Sequence, residues 1–85
     1  MDKKRKALLK GAAQKLEATV HVGKDGVTDK VVEEVVRQLK QKHLVKVRLL
    51  PSMEEDRYEA AEKLASKASA ALVEVRGRTA VLAED

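Results

Sequence analysis

Apolar residues recur along this chain at two spacings, and the switches between them mark seven elements. From Asp2 to Ala18, the residues Leu8, Leu9, Ala12, Ala13 and Leu16 fall at helical spacing and predict an amphipathic helix. Lys3, Lys4, Arg5 and Lys6 lie ahead of that stripe and are read as its frayed, basic beginning. Thr19-Val20-His21-Val22 reads as a short β-branched strand. Gly23-Lys24-Asp25-Gly26 breaks it, and a valine-striped helix follows over 29–42. Thr28 suits the N-cap, and Asp29 suits the positive end of the helix dipole. Val27 and Val32 have the spacing of a hydrophobic staple. Val31, Val35 and Leu39 form the buried stripe, with Val32 and Val36 beside it. Lys40, Lys42 and His43 lie at the C-terminal end, where the dipole favours cations.

Strict alternation then runs from Leu44 to Leu50. Val45, Val47 and Leu49 point one way, and Lys46 and Arg48 point the other. Pro51 ends the strand. Ser52 and Glu55 have capping-box spacing, which predicts a helix to about residue 70 with Tyr58, Ala61, Leu64, Ala65 and Ala68 on its inner face. The segments 72–76 and 79–82 flank Gly77-Arg78, a Gly-X pair suited to a type II′ hairpin turn. That register sets Val75 against Ala80 and Val73 against Leu82. The order is therefore α-β-α-β-α-β-β. Strands joined through a helix should run parallel, and the hairpin adds an antiparallel pair. The expected fold is an α/β two-layer sandwich with a mixed four-stranded sheet.

Composition narrows the chemistry. The 85 residues make one small domain with no linker or repeat, too small to enclose a deep catalytic pocket. The chain has no cysteine, so disulfides, thiolate nucleophiles and cysteine-ligated zinc are excluded. That fits a reducing cytoplasm, which is the expected location. No apolar run reaches membrane-span length, and no signal peptide or anchor is read. Two histidines, His21 and His43, match no metal-binding spacing. Ser52 is explained by capping and Glu54-Glu55-Asp56 by a helix start. No catalytic residue, metal site or cofactor is expected, and the protein reads as a non-enzyme.

Charge is informative through its distribution. The net charge is +4, but residues 1–50 carry +7 and residues 51–85 carry −3. One basic side suggests a polyanionic partner, although generic solubilising charge would look similar. The Gly23–Gly26 loop leaves a strand and enters a helix, where free N–H groups, the dipole and Lys24 could together hold a phosphate. A tight corner that needs two glycines explains the same tetrapeptide, and Asp25 fits the corner better than the phosphate. No nucleotide-binding P-loop or dinucleotide fingerprint is present. Tyr58 is the single aromatic residue, so contact with a nucleic acid should run through backbone charge and shape, with little base stacking.

Three segments in order, the GKDG loop followed by Val27-Thr28, the strand HLVKVRL and the closing RGRTAVL, carry a family resemblance. The chain from about residue 7 to 82 resembles the CRM domain (chloroplast RNA splicing and ribosome maturation), and in particular its stand-alone prokaryotic YhbY-like members. The resemblance implies a fold similar to the C-terminal domain of translation initiation factor 3. It implies RNA binding, with the glycine loop likened to that of KH domains. Stand-alone members are associated with precursors of the large ribosomal subunit, and plant members with group II intron splicing. By position, Gly23, Lys24 and Gly26 match the family loop, and Arg76, Gly77 and Arg78 match its basic turn. The candidate RNA-binding residues are Gly23, Lys24, Asp25, Gly26, Thr28 and Lys30, with Lys46, Arg48, Arg76 and Arg78. Lys3, Lys4, Arg5 and Lys6 add a surrounding positive field. The expectation is a monomeric, non-catalytic RNA-binding protein that works on ribosomal RNA or pre-ribosomal particles during ribosome assembly. A permanent structural component of the ribosome or another ribonucleoprotein is the alternative.

Overall fold

The computed structural model describes residues 1–84. The elements follow the expected order: α1 (Lys3–Ala13), β1 (Val20–Val22), α2 (Asp29–Lys42), β2 (Leu44–Leu49), α3 (Arg57–Lys67), β3 (Ala71–Arg76) and β4 (Thr79–Ala83). The four strands form one mixed sheet in the order β1-β2-β4-β3. The β1–β2 pair is parallel, and β2–β4 and β3–β4 are antiparallel.

Burial explains why β4, last in the chain, takes a central position. Ala80, Val81, Leu82 and Ala83 are all buried, as a strand covered on both faces requires. Strand β3, which carries Glu74 and Arg76, is left at the edge, where charge is tolerated. One face of the sheet supplies Val20, Val22, Val45, Val47, Leu49, Ala80 and Leu82 to the main core, packed against Val35 and Leu39 of α2 and Ala60, Ala61, Leu64 and Ala65 of α3. Helices α2 and α3 form the helical layer of the sandwich. Helix α1 lies on part of the opposite face, where Ala13 packs with Val73, Val81 and Ala83, and Leu9 and Leu44 border them.

Helix α2 matches its expected bounds because its caps are local. The Thr28 hydroxyl accepts from the Val31 N–H at 3.3 Å. His43 closes the other end in a left-handed conformation, φ 66°, with its N–H on the Leu39 carbonyl at 2.9 Å. Gln38 is the buried polar residue. It accepts from the Thr19 hydroxyl and donates to Glu34 at 2.7 Å, which ties α2 to the start of β1. Hydrogen bonds from Arg37 and then Gln38 hold the Glu34 carboxyl below its usual pKa.

Three expectations need correction. The basic start of α1 is helical, not frayed: Asp2 caps it, accepting from the Arg5 N–H at 2.8 Å. Its inward side runs through Lys6, Leu9, Lys10 and Ala13, while Leu8 is 71% exposed. The helix stops at Ala13, so Leu16 lies beyond it. Second, Ser52 does not cap α3. Leu50 to Met53 makes a turn, with the Met53 N–H on the Leu50 carbonyl at 3.0 Å. Asp56 caps instead, accepting from the N–H groups of Tyr58 and Glu59, both at 3.1 Å. Ala61, Leu64 and Ala65 are buried as expected and Ala60 joins them, while Tyr58, in the first turn and at the edge of that face, is exposed. A Schellman motif ends it at Lys67, with Ala70 N–H on the Ala65 carbonyl and Ser69 at φ 53°, before the expected residue 70.

Third, the hairpin register holds only near its turn. Val75 pairs with Ala80 as expected, but a bulge between Leu72 and Glu74 pairs Leu72, not Val73, with Leu82. A bulge puts an extra residue in one strand and shifts the alternation beyond it. Leu72 and Val75 therefore face the main core, while Val73 is buried under α1.

These positions set the expected cost of truncation. Leu64 is fully buried, and Leu64→Ala should lower stability in urea unfolding by about 2–5 kcal/mol. Leu8→Ala should change it by less than about 0.5 kcal/mol.

Candidate nucleic-acid interface

Strands β1 and β2 run parallel, so the loops that follow them leave from the same end of the sheet. The hairpin turn arrives at that end too. The Leu49 N–H donates to the Arg78 carbonyl at 2.7 Å, and the Leu50 N–H donates to the Val22 carbonyl at 2.8 Å. Three connections therefore gather there: the Gly23–Gly26 loop, residues 50–56, and the Gly77-Arg78 turn. Gly77 has φ 57° while Arg78 does not enter the positive region, the sign pattern of the expected II′ turn. The Thr79 hydroxyl reinforces it by donating to the Arg76 carbonyl at 2.8 Å.

The glycine loop is a β-turn. The Gly26 N–H donates to the Gly23 carbonyl at 3.0 Å, leaving Lys24 and Asp25 exposed at the corner. This accounts for Asp25, since aspartate is a favoured turn residue. Gly26 takes φ 71°, and a Cβ there would lie 3.1 Å from Glu55 Oε1. Gly23 is not in the positive region, and a Cβ on it would make ordinary contacts. The two glycines thus differ: Gly26 is required by the backbone and Gly23 is not. Glu55 beside the loop is partly neutralised by Lys63 at 2.8 Å. The Thr28 hydroxyl is occupied as the α2 cap, and Lys30, in the first turn of α2, is exposed.

Strand register builds a second feature that the sequence reading did not assemble. His21 pairs with Arg48, Arg48 with Thr79, and Thr79 with Arg76. These four residues cross all four strands in one row. The row lies on the sheet face away from α2 and α3, because its neighbours in each strand point into the main core. His21, Lys46, Arg48 and Thr79 line an open concavity bordered by residues 16–18 after α1. The signal was present in the alternation of each strand, but only the pairing placed His21 beside Arg48.

The remaining predicted cations are held by α1 or belong to it. The Lys46 ammonium is 3.4 Å from the carbonyls of both Ala13 and Leu16, so it caps the C-terminal end of α1. Lys3, Lys4, Arg5 and Lys6 lie at the other end of the sheet. Arg5 donates to the Glu84 carbonyl at 3.2 Å, and the Glu84 N–H donates to the His43 carbonyl at 3.0 Å, at the start of β2. Strand β2, about 17 Å long from its rise per residue, separates this basic helix start from the glycine loop. Among the described residues, no group of three or more His, Asp or Glu could hold a metal ion, and no helix is long and apolar enough to cross a membrane.

The CRS1 / YhbY (CRM) domain model matches residues 1–83. The chain belongs to the CRS1/YhbY family. It is 44% identical over 81 residues to a probable RNA-binding protein of Methanocaldococcus jannaschii, covering 93% of this chain and 60% of that protein. It is 35% identical over 79 residues to the probable RNA-binding protein YqeI of Bacillus subtilis, covering 93% of this chain and 82% of YqeI. The fold superposes on the solution structure of a hypothetical Staphylococcus aureus protein, described as a proposed RNA-binding protein, with TM-score 0.85 and 26% identity. That match covers all of this chain and 88% of the other.

The contrast between the loop glycines is testable. Gly26→Ala should lower stability by about 1–2 kcal/mol, the cost of a left-handed alanine. Gly23→Ala should be nearly neutral, and thermal unfolding of the two variants compares them directly.

Proposed function

We propose that this protein binds RNA without catalysing a reaction, through the end of the sheet where the glycine loop and hairpin turn meet. The supporting observation is the convergence of Lys24, Arg48, Arg76 and Arg78 from three separate segments at one end of the sheet. Separate charges gathered on a rigid sheet form a field that tracks a phosphate backbone. Backbone N–H groups at the start of α2 add to that field beside Lys24. The names of the family relatives agree with RNA as the partner.

Within that reading, the protein acts as a cytoplasmic monomer on ribosomal RNA or large-subunit precursors during ribosome assembly. The concavities beside Tyr58 and beside Arg48 are both open to solvent, which suits a factor that holds or shields RNA. Lys46 contributes field strength, since its ammonium is turned to α1. Lys3, Lys4, Arg5 and Lys6 form a separate outlying contact for RNA long enough to cross the sheet.

Affinity for structured ribosomal RNA should fall steeply with salt, because each neutralised phosphate releases counterions. Lys24→Glu and Arg48→Glu should each weaken binding and flatten the log–log salt slope by about 1, with unfolding temperatures near wild type. Salt-independent affinity would refute backbone recognition. In gradient sedimentation of cell extracts, the protein should travel with precursor particles and be absent from polysomes. Stoichiometric presence in polysomes would instead identify a permanent ribosomal component.

A further inference from the structure

Tyr58 is the one residue among Phe, Tyr and Trp in the chain, and the fold leaves it outside. Tyr58 is 49% exposed, although its spacing within the helical stripe suggested burial. With Asp56 as the cap, Tyr58 lies in the first turn of α3, at the edge of the face that buries Ala60, Ala61, Leu64 and Ala65. The ring is held beside a cation: the Arg57 guanidinium carbon lies 5.1 Å from its centroid, within cation–π range. The guanidinium covers one face of the ring, and the face it leaves is the kind of surface on which an unpaired base stacks.

The ring borders an open concavity of about 300 Å³ that Arg78 also lines. Met53, nearly buried, lies beneath it, and Glu55 and Asp56 supply carboxylates. These carboxylates determine what the concavity can accept. They repel a phosphate but accept hydrogen bonds from the amino groups on base edges. The Asp56 carboxylate already receives two backbone N–H groups. Glu55 is the wall shared with the glycine loop, since Oε1 is 3.1 Å from the position of a Cβ on Gly26. A base in the concavity would therefore lie beside the loop, with Arg78 on the rim for its flanking phosphate.

We infer that this concavity is a subsite for one unpaired nucleobase, stacked on Tyr58 with an edge amino group toward Glu55. The inference rests on the RNA-binding reading and adds to it a preference for a single-stranded element. It also replaces the expectation of recognition with little stacking.

The ring provides its own readout, because the chain holds one tyrosine and no tryptophan. The full chain is titrated with oligoadenylate, and separately with oligoadenylate annealed to oligouridylate. Tyrosine emission is corrected for nucleic-acid absorbance against free tyrosine, and fluorescence anisotropy of labelled RNA measures binding independently. Quenching by the single strand should saturate together with the anisotropy, and the duplex should bind without it. Tyr58→Ala should weaken single-strand binding by about 5- to 100-fold, the range for losing one base stack, while Tyr58→Phe stays close to wild type. Tyr58 lies outside the core, so both variants should unfold at the wild-type temperature, and the quenching test needs no variant. Binding without quenching, or unchanged single-strand affinity in Tyr58→Ala, would overturn the base subsite. If Arg78→Glu still weakened binding, the RNA reading would survive that failure. If the wild type bound neither RNA, both would fall.

Discussion

The pairing of β2 with β1 on one side and β4 on the other is the constraint from which the rest of the structure follows. Val45, Val47 and Leu49 are buried beneath α2 and α3, and that burial sets which face of β2 points inward. A slip of one residue would turn Lys46 and Arg48 into an apolar core, where an unpaired charge is far too costly to persist. The register is thus held by hydrophobic burial on one face. Its consequence on the other face is the row of His21, Arg48, Thr79 and Arg76.

The same pairing explains why the basic end exists. A parallel β1–β2 pair sends both following loops from one end, and the antiparallel β4 returns the hairpin turn to it. No element needs to move to bring Lys24, Arg48, Arg76 and Arg78 together. A preorganised charge array of this kind loses little side-chain and loop freedom on binding compared with one that must first be ordered. The opposite end serves a structural purpose, since His43, Glu84 and Arg5 tie the chain termini and the α2–β2 junction into one network.

Charge within the interface is mixed. Lys24 is flanked by Asp25, and Glu55 lies against Gly26 with Lys63 drawn to it. Asp25 is explained by the turn, not by a ligand. Two concavities differ in their lining: His21, Lys46 and Arg48 line one, and Glu55 and Asp56 line the other beside Tyr58. A uniform positive surface would bind any polyanion; this difference gives the surface a basis for discrimination.

Short-range features of the amino-acid sequence determined the element order, the bounds of α2 and its Thr28 cap, the alternation of β2 and the Gly77-Arg78 turn. Each depends on residues within a few positions of one another, so periodicity and capping chemistry reveal it. Where two local solutions competed, proximity alone misled. Ser52 with Glu55 looked like a capping box, but Asp56 took the cap, and Tyr58, in the first turn at the edge of the stripe, is exposed. A single bulge moved Val73 to the other face. What only the tertiary structure decided was long-range: β4 at the centre of the sheet, α1 on the opposite face, Lys46 bound to the α1 carbonyls, the basic helix start far from the glycine loop, and His21 beside Arg48. These depend on which strands share hydrogen bonds and which faces exclude water, and no local pattern encodes either.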